Sequence, residues 1–258
     1  MSDRIAISEK TPEKSSIFPD GLLTRIAHVL QRYTIFVLFF LLLVTATLVS
    51  DVFMSTRNIA NVVRVASILG LVTLGEAFVL IGGRFDLSVG MTLGAAGTAY
   101  LSLEPYGLAV ATLGALLVGM VLGAINGALV GILKANAFIV TLGMYSVIFG
   151  GILLYTRAVF LTGENPAFTF FGRAEVLGIP MPVILFLVAA VVLEIVLRKT
   201  PFGRGVYAMG INEEAARASG VPTTTYRFVS FVICGFMAAA AGIVLTARLN
   251  ASEAVAGV

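Results

Sequence analysis

The sequence predicts an all-α membrane protein, a polytopic bundle of about seven transmembrane helices. Hydrophobic residues make up 59% of the chain and charged residues 12%, where an ordinary soluble domain carries about 25% charged residues. The mean hydropathy of +1.01 is too apolar for a chain that covers itself with water-facing side chains. Seven apolar stretches also approach the roughly 20 residues that a helix needs to cross a bilayer.

The same composition excludes several classes. A net charge of +3 without a basic tract interleaved with aromatics gives no nucleic-acid surface. Cys234 and His28 are the only residues of their types, so an intrachain disulfide, a multi-cysteine metal site and a histidine-based centre or triad are unavailable. No cofactor is expected in this chain, and no covalent catalysis.

Residues 1–32 are expected to form a cytoplasmic tail ending in an amphipathic helix, and 33–258 the membrane domain. The polar start, with Asp3, Glu9, Lys10, Glu13 and Lys14, is too long and too acidic for a cleavable signal. Asp20 suits a helix N-cap. Beyond it, Leu22, Leu23, Ile26, Val29, Leu30 and Tyr33 share one helical face, opposite a basic face suited to lipid headgroups.

The spans are then expected at Tyr33–Ser50, Val65–Gly83, about Leu87 to Glu104, Pro105–Leu133, Ala135–Thr156, within Val176–Val196, and Phe228–Ala247. With the N-terminus inside, twelve of the seventeen Lys and Arg fall on the cytoplasmic side, as the positive-inside tendency requires. Thr156–Pro180 is then external, and 198–227 is a cytoplasmic loop. Gly119, Gly123, Gly127 and Gly131 recur every fourth residue and make a smooth stripe for close helix packing.

Two segments between spans stand apart. Gly82-Gly83-Arg84-Phe85-Asp86-Leu87-Ser88-Val89-Gly90 breaks the second span, and Asp86 can cap the third. Its residues read equally as a tight turn or as a broken element beside a transport path. In the loop, Asn212 is a natural N-cap, Glu213 and Glu214 occupy a first turn, Ala215, Ala216 and Arg217 follow, and Gly220 before Pro222 stops the helix. So short a helix needs a partner to hold it. Glu76 is the acid inside an apolar span. A carboxylate there is a functional candidate, either lining the path or serving a buried hydrogen bond. Glu194 is explained by Arg198 four residues on.

In this order and spacing, these segments resemble the ribose-type sugar permeases of ATP-binding-cassette importers. Gly82, Gly83, Phe85, Asp86, Leu87, Ser88, Val89 and Gly90 match a family pattern in which Arg84 is an insertion, and Thr200 through Gly220 match the family's loop. The resemblance runs from about Tyr33 to the end and is specific for the family, not for the solute. It implies about ten spans in the family, so this chain is expected to lack a C-terminal portion. It implies that Gly210, Asn212, Glu213, Glu214, Ala215, Ala216, Arg217 and Gly220 form the coupling element that docks on a separate ATPase subunit. Glu76, Asp86 and Ser88 are expected along the substrate path.

The implied partners are two ATPase copies, a second permease copy, an external solute-binding protein and membrane lipid, in a bacterial inner membrane. No phosphate-binding Gly-x-x-x-x-Gly-Lys-Ser/Thr loop occurs in the sequence, so ATP is expected on the partner. The alternatives are a permease for autoinducer-2, a nucleoside or a branched-chain amino acid, an ion-driven transporter using Glu76, and a truncated product that transports nothing.

Overall fold

The computed structural model describes residues 22–252, with side chains from residue 33 onward. The predicted tail, the Asp20 cap and the side chains of the amphipathic helix as far as Arg32, His28 among them, lie outside the described residues. The described residues fall into two compact units, divided after Ile59.

In the first unit, α1 (Leu22–Val49) is interrupted at Tyr33, whose φ of −113° and ψ of 16° leave the helical region. The apolar run Tyr33–Val49 thus forms a segment of its own. Ser55 then starts α2 (Thr56–Ile81), accepting from Asn58 N at 3.3 Å, and from Ala60 onward this helix belongs to the second unit. This helix begins nine residues before the predicted Val65, so Arg57 and Arg64 belong to a helix rather than a loop. Long arginine stems tolerate such positions by running along apolar surface.

The second unit is a helical bundle. Besides α2 from Ala60 onward, its elements are α3 (Val89–Ser102), α4 (Leu108–Gly127), α5 (Ala137–Thr156), a short α6 (Phe170–Arg173), α7 (Met181–Lys199), α8 (Pro201–Ile211), α9 (Glu213–Ala218) and α10 (Thr223–Leu249). A π-helical turn, Ala128–Ile132, prolongs α4. Among the described residues, α2, α4 with its prolongation, α5, α7 and α10 are long and apolar enough to cross a membrane. The other two expected spans are shorter. The apolar part of α1 falls below that length, and α3 has 14 residues, which rise only about 21 Å against a hydrocarbon core of about 30 Å.

The central helix is α10. Its side chains enter three buried clusters: Ala239, Ile243 and Ala247 with Tyr100 and Phe168; Met237, Ala241 and Val244 with Ile68 and Leu71; Phe231 and Cys234 with Val79 and Val130. Small residues let neighbouring backbones close on it. A Cβ at Gly119 would stand 2.3 Å from Gly235 O, and one at Gly123 would stand 2.3 Å from Phe231 O. Gly127 and Gly131 face Phe228 O and Thr224 O at 2.8 and 3.2 Å by the same measure. Without water to expel between lipid-solvated helices, this closeness is what dispersion needs to hold them together.

At the end remote from α9, Leu161–Thr162 pairs antiparallel with Ala251–Ser252, and Glu175–Val176 pairs with Ile179–Pro180. Arg173 Nε donates to Arg248 O at 2.8 Å, and Arg64 forms an ion pair with Glu175. These charges of the expected external loop therefore fasten the bundle, whereas Arg157 and Glu164 are exposed.

Candidate functional site

The paired glycines end α2 by a defined geometry. Gly83 takes φ of +76°, Arg84 N donates to Val79 O, and Gly83 N donates to Leu80 O, both at 3.0 Å. This double closure stops a helix with a left-handed residue. The chain then folds back along α2. Asp86 N donates to Glu76 Oε1 at 2.8 Å, and Glu76 lies about 8 Å up the helix from Ile81 at 1.5 Å per residue. Non-helical backbone 82–88 thus fills the depth that the short α3 leaves. The N–H groups of Gly82, Gly83, Arg84, Asp86 and Ser88 find protein acceptors, as apolar surroundings demand.

A buried polar cluster results. Asp86 Oδ1 accepts from Ser88 N at 2.8 Å and Ser88 Oγ at 2.6 Å, while Asp86 Oδ2 accepts from Asn126 Nδ2 at 3.1 Å. Asn126 Nδ2 also reaches Ser88 Oγ at 2.8 Å, and its Oδ1 is buried without a partner. Glu76 Oε2 accepts from Cys234 Sγ at 3.3 Å. Glu76, Asp86 and Ser88 therefore do meet, and Asp86 and Ser88 are buried. Asp86 accepts from Ser88 rather than from Val89 N. Asn126 was missed. An amide inside an apolar run was its signal, and it stands two residues before the π-helical turn that begins at Ala128, a distortion often found at functional sites.

The second site is α8 and α9. The sequence reading had only a loop before Asn212, but Thr200 Oγ1 accepts from Gly203 N at 3.1 Å and starts α8. Phe202 then stacks on Phe78 of α2 at 6.1 Å and meets Tyr226 of α10 edge-on at 5.2 Å. Gly210 lies against the end of α2, where an added Cβ would stand 1.8 Å from Ile81 O.

Asn212 Oδ1 accepts from Ala215 N at 2.9 Å and opens α9. Gly220, at φ of +84°, closes it: Val221 N donates to Ala216 O and Gly220 N to Arg217 O, both at 3.0 Å. Ala216 is buried, whereas Glu214, Ala215, Arg217 and Ala218 are exposed. Glu213 is the anchor. Its carboxylate accepts from Arg227 at 2.5 Å, from Arg217 at 2.8 Å and from Arg84 at 3.4 Å. Arg227 is buried, at 4% exposure. These guanidiniums, chiefly the hydrogen bond from Arg227, hold the Glu213 carboxyl below its ordinary range. Sequence reasoning had counted Arg227 and Arg84 only as loop charges.

Three cavities lie elsewhere among the described residues. An apolar groove of about 580 Å³ lies between α4, α7 and α10. A second, of about 590 Å³, runs between α3, α4 and α5, with Thr98, Ser102 and Tyr155 among its walls. A polar cleft of about 640 Å³ lies at the end remote from α9, lined by Ser102, Glu104, Glu164 and Asn165 among others. Ser102 belongs to both of the last two. Glu76, Asp86 and Ser88 line none of the three.

Comparison with known proteins agrees with this architecture. Residues 58–258 match the family described as branched-chain amino acid transport system / permease component. The D-allose transport system permease protein AlsC of Escherichia coli is 36% identical over 255 residues, covering 97% of this chain and 74% of that protein. The ribose import permease protein RbsC of Bacillus subtilis is 37% identical over 239 residues, 89% of this chain and 72% of that protein. The L-arabinose transport system permease protein AraH of Escherichia coli is 31% identical over 225 residues, 86% and 69% respectively. No solved structure matches. These relatives are transport permeases rather than enzymes. With its apolar helices, this chain is a multi-pass membrane protein that belongs to the permease components of ribose-type ATP-binding-cassette transporters.

Proposed function

We propose that this chain is the membrane subunit of an ATP-driven importer for a monosaccharide. It lies in the inner membrane with its N-terminus and α9 on the cytoplasmic side. Two copies form the pathway, an external binding protein delivers the sugar, and two ATPase subunits bind ATP. The observation that carries this reading is α9. It is capped by Asn212, stopped at Gly220 and fixed from behind by Arg227 and Glu213, yet it presents Glu214, Ala215, Arg217 and Ala218 to solvent. A six-residue helix held so firmly and left bare is suited to fill a groove on another protein. The sugar permeases among its relatives supply the solute class.

The groove between α3, α4 and α5, with the polar cleft above it, is assigned to the outer part of the solute path. The Glu76–Asp86–Ser88 cluster lies below its inner end, two turns from Ala95 along α3, and is assigned to the inner closure. The branched-chain amino acid description of the family keeps an amino acid as the second solute class. Tagged protein extracted in mild detergent is expected to bring down an ATPase subunit, identified by mass spectrometry. Folded protein that recovers none would overturn the proposal. Binding of labelled D-allose, D-ribose and L-arabinose by the cognate external protein then separates the sugars.

A further inference from the structure

Glu213 answers three guanidiniums with one carboxylate. Two of them are accounted for by α9 itself. Arg217 is its i,i+4 neighbour, and Arg227 fastens it to α10. Arg84 has neither task. It stands in the unwound connection after α2, its Nη1 donating to Gly83 O at 3.0 Å and its Nη2 reaching Glu213 Oε2 at 3.4 Å. It is also the one residue of the Gly82–Gly90 segment that departs from the resembling pattern.

What lies on either side of Arg84 gives it significance. Two residues on, Asp86 is held by Glu76, Ser88 and Asn126. One residue back, Gly83 meets α8, where a Cβ on it would lie 3.7 Å from Gly210 Cα. The connection is therefore gripped from the α9 side by Arg84 and the Gly210 contact, and from the interior by the Glu76–Asn126 cluster. Between these grips no continuous helix absorbs a displacement. A half-exposed ion pair at this distance adds little to stability, so folding does not account for Arg84.

We propose that Arg84 is a positioning residue for coupling: through Glu213 it carries movement of α9 into the Asp86 connection, and so into the inner closure of the solute path. This rests on the docking role of α9 proposed above. Contiguity alone does not demonstrate coupling, so the test must read the far end of the linkage. Cys234 supplies the readout. It is the sole cysteine of the chain, it is buried, and it donates to the same Glu76 that holds Asp86.

The permease is co-expressed with its ATPase subunit, and N-ethylmaleimide labelling of Cys234 is followed by mass, with and without ATP and vanadate. In the unaltered complex, nucleotide is expected to change the labelling rate severalfold. Arg84→Gln is expected to keep ATPase binding and hydrolysis but lose that change, and Arg84→Lys to keep part of it. Arg198→Gln, which removes the α7 pair with Glu194, is expected to respond normally. An Arg84→Gln complex that responds like the unaltered one would overturn the inference, as would an unaltered complex with no nucleotide response. Loss of assembly in both Arg84 variants would also overturn it, by making Arg84 a structural anchor. An unaltered chain that recovers no ATPase at all strikes the functional proposal instead.

Discussion

The backbone N–H of Asp86 donates to Glu76 Oε1 at 2.8 Å, pinning the connection after α2 back onto the helix it has just left. The connection is thus tied to a side chain five residues back from the end of α2. Glu76→Gln keeps an oxygen acceptor there, whereas Glu76→Ala leaves the donor unpaired. Losing the partner of a buried donor costs about 1–3 kcal/mol. Thermal unfolding in detergent is therefore expected to separate the two variants, with alanine clearly lower and glutamine near the parent. Equal melting of both would show that the bond contributes nothing.

Asn126 bridges Asp86 and Ser88 from α4. Asn126→Leu removes the amide that serves Asp86 Oδ2. It is expected to cost about 1–3 kcal/mol, the penalty of an unsatisfied buried acceptor. Asn126→Asp replaces the donating amide by a second carboxyl against Asp86 and is expected to melt below the parent at pH 7. An aspartate variant that melts with the parent would count against the contact.

The Glu213 carboxyl is held below its ordinary range, chiefly by Arg227. Its contribution to holding α9 is therefore complete above the ordinary glutamate pKa of about 4.3. It is lost as pH falls through the lowered folded value. Glu213→Gln is expected to melt below the parent at pH 7, and the two curves should converge as pH drops beneath about 4. A gap that persists at low pH would show that the effect is not electrostatic.

Reversing both acids of α9, Glu213→Lys with Glu214→Lys, sets lysines where the helix dipole favours acids and places one against Arg227. Uptake is expected to be abolished while the protein still inserts in the membrane. Normal uptake by this variant would remove α9 from the coupling assignment.

Gly123→Ala directs a methyl at the Phe231 carbonyl, 2.3 Å away. Overpacking of this kind costs about 1–3 kcal/mol. A melting temperature equal to the parent's would show that α4 and α10 can part without cost.

Much of this fold was legible because uninterrupted apolar runs have few alternatives in a membrane. The loop helix was equally legible, since Asn212, Gly220 and Pro222 are local signals. The start of α8 was not. Gly203, Gly205 and Gly210 read as loop residues, and they occur in a helix because Leu197 O, the Tyr226 ring and Ile81 O leave no room for a Cβ. The same holds for the polar cluster. Glu76 and Asp86 announced themselves as acids among apolar neighbours, but pairing either with Asn126 or Cys234 required knowing that α4 and α10 lie against the broken span. Likewise, that Glu213 gathers Arg84 and Arg227 is a property of three separate elements, which no spacing in the chain expresses.

Gly119 and Gly235 stand in a reciprocal relation: a Cβ on either would reach the carbonyl oxygen of the other, at 2.3 and 2.1 Å. Neither helix can slide along the other without driving larger side chains into that gap, so α4 and α10 behave as one plank. Shape change during a transport cycle then falls to parts that lack such interlocking, the unwound residues 82–88 among them. The molecule is thereby divided into a chassis and a joint, and Glu76, Asp86, Ser88 and Asn126 gather at that joint.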